Sequence, residues 1–255
     1  MATRDSKGAD VQRSLTLLWE GGTPGRRGPR RQLDAARIAE AAVRIADADG
    51  LAALSMQRIA AELGYSTMAI YNHIPNKDLL LEVAADVGAG KPPELDGSGD
   101  FRRAVRLWVG ALWAGFRRRP WILRVPLDHA PIGPNQLAWL DRLLRPLLAA
   151  GLVGGEARAA ALHLTAVVRG TAQISIDLTG PGQDGFPRDG AELAQALAGF
   201  INPLDYPALS AVHAAEAAGD RSGREQAGEE PLPVELSFGV DRFLDGIEAW
   251  VAAKG

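Results

Sequence analysis

The chain has 255 residues, 47% of them hydrophobic and 23% charged, with a formal net charge of -3 and no cysteine. That length accommodates one large domain or a small head on a larger body, and the composition excludes a wholly disordered or collagen-like chain. Without cysteine there are no disulfides, no Cys-based zinc sites and no thiol nucleophile, which suits the expected cytoplasmic location.

Residues 1–32 are expected to form a flexible basic extension. The start, MATRDSKGADVQRS, lacks the apolar core of a signal peptide. No apolar run approaches the roughly 20 residues needed to span a bilayer, so no membrane partner is expected. GGTPGRRGPRR at 21–31 cannot hold a helix because Gly and Pro recur too often. LTLLW at 15–19 is apolar enough for a docked turn. Asp34 can cap a helix running to about Ala48, with Ile38, Ala41, Ala42, Ile45 and Ala46 at helical spacing and Gly50 closing it.

A second helix begins at Ser55 and ends at Leu63, where Gly64 makes a turn. Ser66 and Thr67 open a short third helix to His73. Pro75 interrupts the chain, and Asn76 caps a fourth helix from Lys77 to about Val87, with Asp78 at its positive end. This is the spacing of a helix-turn-helix, which lays a short helix in the major groove of duplex DNA. The 33–87 segment is therefore expected to be a DNA-binding domain. Thr67 and Gln57 can hydrogen-bond, Met68 and Ala69 can meet a thymine methyl, and Lys77 supplies a charge. From Arg26 to Lys77 eight Arg or Lys stand against five Asp or Glu, a local balance of +3 in an acidic chain. Arg26, Arg27, Arg30 and Arg31 precede the first helix, where an arm can reach a phosphate or the minor groove. The competing readings make Tyr71 partly core, His73 a helix-end cap and Lys77 an ordinary solvated lysine.

Gly50, Leu54, Ile59, Ala60, Leu63, Gly64, Tyr71, His73, Lys77 and Leu80 together resemble the N-terminal domain of TetR-family transcriptional regulators over about residues 33–85. The resemblance implies that Ser55 meets a phosphate and that Gln57 faces the groove. It implies that Thr67, Met68 and Ala69, just after Ser66, meet bases, and that Tyr71, His73 and Lys77 hold the phosphate backbone. Asn72 stands where the tetracycline repressors carry Trp, and Gln57 where they carry Arg, so different base contacts follow.

GAGKPPELDGSGD at 88–100 reads as a hinge. Beyond it helices are expected at about 101–118, 121–127, 135–149, 156–178, 190–200, 205–217 and 235–253. TGPGQDGFPRDG at 179–190 and AGDRSGREQAGEEPLP at 218–233 are expected to be mobile loops. No segment alternates at period two, so the fold is expected to be all-α: a helix-turn-helix head and a larger C-terminal regulatory and dimerisation domain over 101–255. GPNQLAWLDRLLRPLLAAGL, LHLTAVVRGTAQ and FGVDRFLDGIEAWVA resemble the C-terminal domain of tetracycline repressors. Their metal-binding histidine has no aligned counterpart here; His129 and His163 are unaligned candidates, and neither metal nor cofactor is expected.

Two long helices are the expected homodimer elements. One offers Ala160, Ala161, Leu164, Thr165, Val168, Ala172 and Ile176; the other offers Phe238, Phe243, Leu244, Ile247 and Trp250. The same residues packing within one subunit is the alternative. A small-molecule effector is expected among Trp108, Leu112, Trp113, Phe116, Trp121, Trp139, Leu143, His163 and Val167, although a packed core gives the same signal. No phosphate loop, HExxH or paired His and carboxylate spacing points to an enzyme. The expected function is a ligand-released repressor on a roughly palindromic operator. The alternative is a helical architectural or adaptor protein without an effector.

Overall fold

The computed structural model describes residues 15–19, 33–95, 99–127, 130–179, 195–197, 199–217 and 232–254. Among them every regular element is helical, and the architecture is all-α, with an N-terminal helix-turn-helix and a larger C-terminal helical part.

Helix α1, Ala35–Asp49, begins where the Asp34 carboxylate accepts the Arg37 backbone N–H at 2.8 Å. Its stripe of Ile38, Ala41, Ala42, Ile45 and Ala46 is buried, as positions three and four apart on one helix face must be. Helix α2, Met56–Leu63, is capped by Ser55 Oγ, which accepts from Arg58 N at 3.2 Å. It ends at Gly64, whose φ of 74° is left-handed. Tyr65 N–H then donates to Ala60 O at 2.9 Å, closing the last turn. Helix α3, Thr67–His73, is capped by Ser66 on Ala69 N, and α4, Lys77–Ala89, by Asn76 on Leu79 N. α1 packs on α2 and α4, and α2 packs on α3. Ile38, Ile45, Leu54, Ile59, Ile70, Ile74 and Leu80 are all buried in the shared core.

Helix α5, Phe101–Arg118, and α6, Pro134–Ala149, pack on one another, and α4 packs on α6. Between them the expected helix at 121–127 is instead a 3-10 segment, Pro120–Arg124. Pro126 explains this, because the residue before a proline is pushed out of helical backbone, and Val125 is extended at φ -73°, ψ 127°. α7 is Gly154–Thr179, α8 Pro207–Ala217 and α9 Val234–Ala252. The chain divides into two compact units, 1–166 and 167–255, with the boundary inside α7. The segment expected at 190–200 lies mostly outside the described residues, as does His129.

The docked turn that LTLLW allowed is present: 15–19 is helical and Leu18 is buried in the head core. The small-residue face of α7 is not free for a partner: Ala160, Ala161, Leu164, Val168 and Ala172 are buried within the chain itself. Small side chains permit close approach by any neighbour, and spacing alone does not say whose. Leu244 and Ile247 of α9 are likewise buried, while Phe238 and Trp250 are 63% and 54% exposed.

Candidate functional site

The head presents one exposed row. In α3, Ile70 is buried and anchors the helix, while Met68, Tyr71 and Asn72 face solvent and Thr67, Ala69 and His73 are half-buried. Gln57, on the first turn of α2, and Lys77, on the first turn of α4, are also exposed. Met68 is 69% exposed on the same face. Ser55 and Ser66 use their hydroxyls locally as helix caps, which fixes the start of each helix of the motif. Arg58 pairs with Asp49 at 2.7 Å and Arg44 with Glu62 at 2.9 Å. Arg30 and Arg31, like Arg26 and Arg27, lie outside the described residues.

A second set of residues, which sequence reasoning missed, ties the head helices to those that follow. Asp47 near the end of α1 accepts from Arg119 Nε at 3.0 Å and from Trp121 Nε1 at 2.7 Å. The same Arg119 donates through Nη1 to Gly88 O at 2.9 Å, so it holds α1 and α4 at once. Asp86 of α4 is 2% exposed. Its Oδ1 accepts from Gln136 N at 2.9 Å, and its Oδ2 from Asn135 Nδ2 at 3.0 Å and Asn135 N at 3.3 Å. A carboxylate on one helix thus caps the N-terminus of another, where the helix dipole favours it. Burial nevertheless raises the Asp86 carboxyl above the ordinary range, against the opposing pull of these hydrogen bonds. Gly133 is required beside it: a Cβ there would lie 2.1 Å from Asp86 Oδ1. A Cβ at Gly88 would lie 2.8 Å from the Trp121 ring. An acidic residue inside the apolar run LLLEVAADVG was the available signal, since a buried carboxylate must find donors.

The residues expected around an effector do not form one group. Trp108, Trp113, Phe116, Trp121 and Leu143 are buried, Leu112, Trp139 and Val167 are half-buried, and His163 is exposed. His163 therefore does not sit inside an apolar wall; it stands beside Leu164, which takes the buried position on the helix. Trp108 and Trp139 meet edge to face at 5.8 Å and 72°. Trp108 Nε1 donates to Trp139 O, and Trp139 Nε1 to Gly90 O. Trp121 belongs instead to the head core and to Asp47. Buried indoles need an acceptor for their N–H, and these three have found theirs in the backbone or a carboxylate. A shallow cleft of about 320 Å³ opens between Leu51 and Asp47 on one side and Arg118, Trp121 and Arg124 on the other. Among the described residues no group of acidic or histidine side chains could hold a metal, and no helix is long and apolar enough to cross a membrane.

Two helices joined by a left-handed glycine, the second exposing its outer face, define a helix-turn-helix DNA-binding protein. Residues 38–84 match the family described as bacterial regulatory proteins, tetR family. The chain is 32% identical over 263 residues to the HTH-type transcriptional repressor DrrR1 of Streptomyces coeruleorubidus, covering 99% of this chain and 91% of that protein. It is 27% identical over 175 residues to an HTH-type transcriptional regulator of Saccharopolyspora erythraea, covering 68% and 72%. Among solved structures it is similar to the TetR-family protein ActR of Streptomyces coelicolor in complex with actinorhodin. That match has a TM-score of 0.66 at 25% identity and covers 88% of this chain and 97% of that one. BioQ with its double-stranded DNA operator matches at a TM-score of 0.56 and 20% identity, over 86% and 99%, and so shares the fold. The chain belongs to the TetR family of transcriptional regulators.

Proposed function

We propose that the chain is a homodimeric repressor that leaves its operator when a small, mostly apolar molecule binds its body. The carrying observation is the exposed row of Gln57, Met68, Tyr71, Asn72 and Lys77 around a helix anchored by buried Ile70. Thr67, Met68 and Ala69 meet base edges; Ser55, Tyr71, His73 and Lys77 meet phosphates; Arg30 and Arg31 of the extension add charge. The repressor reading is supported by DrrR1, and the small-molecule reading by ActR, a family member solved with actinorhodin. Residues 33–87 then read DNA, and 101–255 dimerise and bind the effector.

Dimerisation uses the apolar side chains left exposed rather than the small ones. On α9 these include Phe238 and Trp250, with Arg242 and Lys254 over their rings; on α7 they include Ile174 and Leu178. The effector enters among Trp108, Leu112, Trp113, Phe116, Trp139 and Leu143, parting the Trp108–Trp139 contact. It releases DNA only by favouring a geometry in which the two recognition helices no longer fit successive major grooves. A differential of roughly 3 kcal/mol between the two geometries lowers operator affinity about 100-fold.

The test begins with selection from random DNA duplexes by the full chain. The expected product is a roughly palindromic sequence. Enrichment of none, with binding that depends only on salt, would favour the architectural alternative. On the selected duplex Lys77→Ala should weaken binding to all sequences and lower the salt slope by about 1, while Thr67→Ala should change base preference. Actinorhodin and other apolar aromatic compounds are then screened for a raised melting temperature and for DNA release. A compound that saturates the protein without changing operator affinity would defeat the switch.

A further inference from the structure

The N-terminal segment carries an observation that neither the DNA-facing row nor the effector reading uses. Residues 15–19 form a single helical turn. A turn of that length does not persist by itself, because helix nucleation costs more than one turn of hydrogen bonds returns. Its side chains show what holds it. Leu18 is 7% exposed within the head core, and Leu17 packs against the same core. Trp19 Nε1 donates to Ile132 O at 3.0 Å, a partner 113 positions away. Ile132 itself packs against the head core. It directly precedes Gly133, which is pressed against Asp86, and Asn135 and Gln136, whose amides the Asp86 carboxylate accepts. The start of α6 is thus gripped from two sides: by Asp86 of α4, and by a turn that lies outside the helix-turn-helix altogether.

We propose that residues 15–19 are a strap that holds the 130–133 connection down, so that α6 presents its first amides to Asp86. Leu18 is the anchor in the head, and Trp19 is the positioning residue that reaches the connection. The N-terminal extension then sets how firmly the head is joined to α6, independently of any contact its arginines make with DNA. The inference does not depend on the identity of an effector, nor on release by one.

The test is amide hydrogen exchange on the full-length protein without DNA. In Leu18→Ala and Trp19→Ala the Asn135 and Gln136 amides should exchange at least tenfold faster. Trp19→Phe, which keeps the ring and Leu18 but loses the donor, should give a smaller rise at the same two amides, and Leu18→Met should restore protection. The Ile59 and Ala60 amides of α2 and those of Leu143 and Leu147 in mid-α6 should stay within about twofold, since local opening leaves distant cooperative units closed. A uniform loss of protection across all these sites would mean that the turn only adds stability, and would overturn the strap. Unchanged exchange at Asn135 and Gln136 would overturn it as well. Leu18→Ala and Trp19→Ala are repeated in Asp86→Ala, where the carboxylate that caps α6 is already gone. The strap requires that they then add little at Asn135 and Gln136, whereas full additivity would show that the turn and Asp86 act separately.

Discussion

On the outer side of the head, Gln57, Met68, Tyr71, Asn72 and Lys77 are exposed, and the bonds that shape their helices join residues three positions apart. At the joint between the head helices and the helices that follow, Asp47 and Asp86 are held by partners 49 to 74 positions away. The first region is a local surface on a rigid frame, where a side chain can change without disturbing the fold. The second is a set of long-range contacts, where any change must move two helices. Substitutions in the one region should therefore leave the other intact.

The largest expected effect lies at the joint. Asp86→Ala leaves Asn135 N, Asn135 Nδ2 and Gln136 N without their acceptor. Leaving three partly buried donors without an acceptor costs about 3 kcal/mol at such a site, readable as a fall in the urea midpoint. Base preference in duplex selection should be unchanged. Gly133→Ala should come next, at about 2 kcal/mol, because its Cβ displaces the carboxylate and overpacks a filled site. If either variant unfolds like the parent, the joint is looser than its hydrogen bonds indicate, and the contrast between the regions fails.

The frame of the DNA-facing row should give an intermediate effect. Ser66→Ala removes the cap on Ala69 N and should cost about 1 kcal/mol, with weaker DNA binding because the recognition helix frays at its first turn. Thr67→Ala, one residue on, should change thermal stability by no more than about 0.5 kcal/mol while altering discrimination between base pairs. A Thr67→Ala protein that loses stability as Ser66→Ala does would show that the row is structural. A gel-shift and melting series on the two variants decides it.

The four head helices were legible in the sequence because each begins with a side-chain cap and three of them carry a stripe at helical spacing. Asp34, Ser55 and Asn76 cap where their chemistry says they should, and Gly64 is left-handed. The joint was legible only as an anomaly, an aspartate in an apolar run, since nothing local names Asn135 and Gln136 as its donors. The tryptophans were ambiguous for a related reason. An indole has an apolar body that signals a pocket or a core equally, and its choice depends on an acceptor that is distant in sequence. Trp121 found Asp47, Trp108 found the carbonyl of Trp139, and Trp139 that of Gly90. The small residues of α7 promised a close neighbour, and the chain supplied that neighbour itself.

The subtlest expected effect is a pH dependence that separates the joint from the surface. Burial is the largest influence on Asp86 and raises its pKa above the ordinary value of 3.8, with the Gln136 and Asn135 hydrogen bonds acting in the opposite sense. A carboxyl with a raised folded pKa holds its proton more tightly when folded than when unfolded. Its favourable contribution is therefore complete below the unfolded pKa and is lost as pH rises through the folded value. Asn at this position does not titrate, so Asp86→Asn serves as the reference and cancels the other carboxylates. The difference in unfolding free energy between parent and Asp86→Asn should shift in the parent's favour as pH falls from about 7 toward about 4, across the window the raised pKa opens. The same comparison for Thr67→Ala should stay flat, because threonine carries no ionisable group in that range. A parent that instead gains on Asp86→Asn as pH rises would mean that the donors at the start of α6 outweigh burial, and that the latch is held by a charge the site prefers ionised.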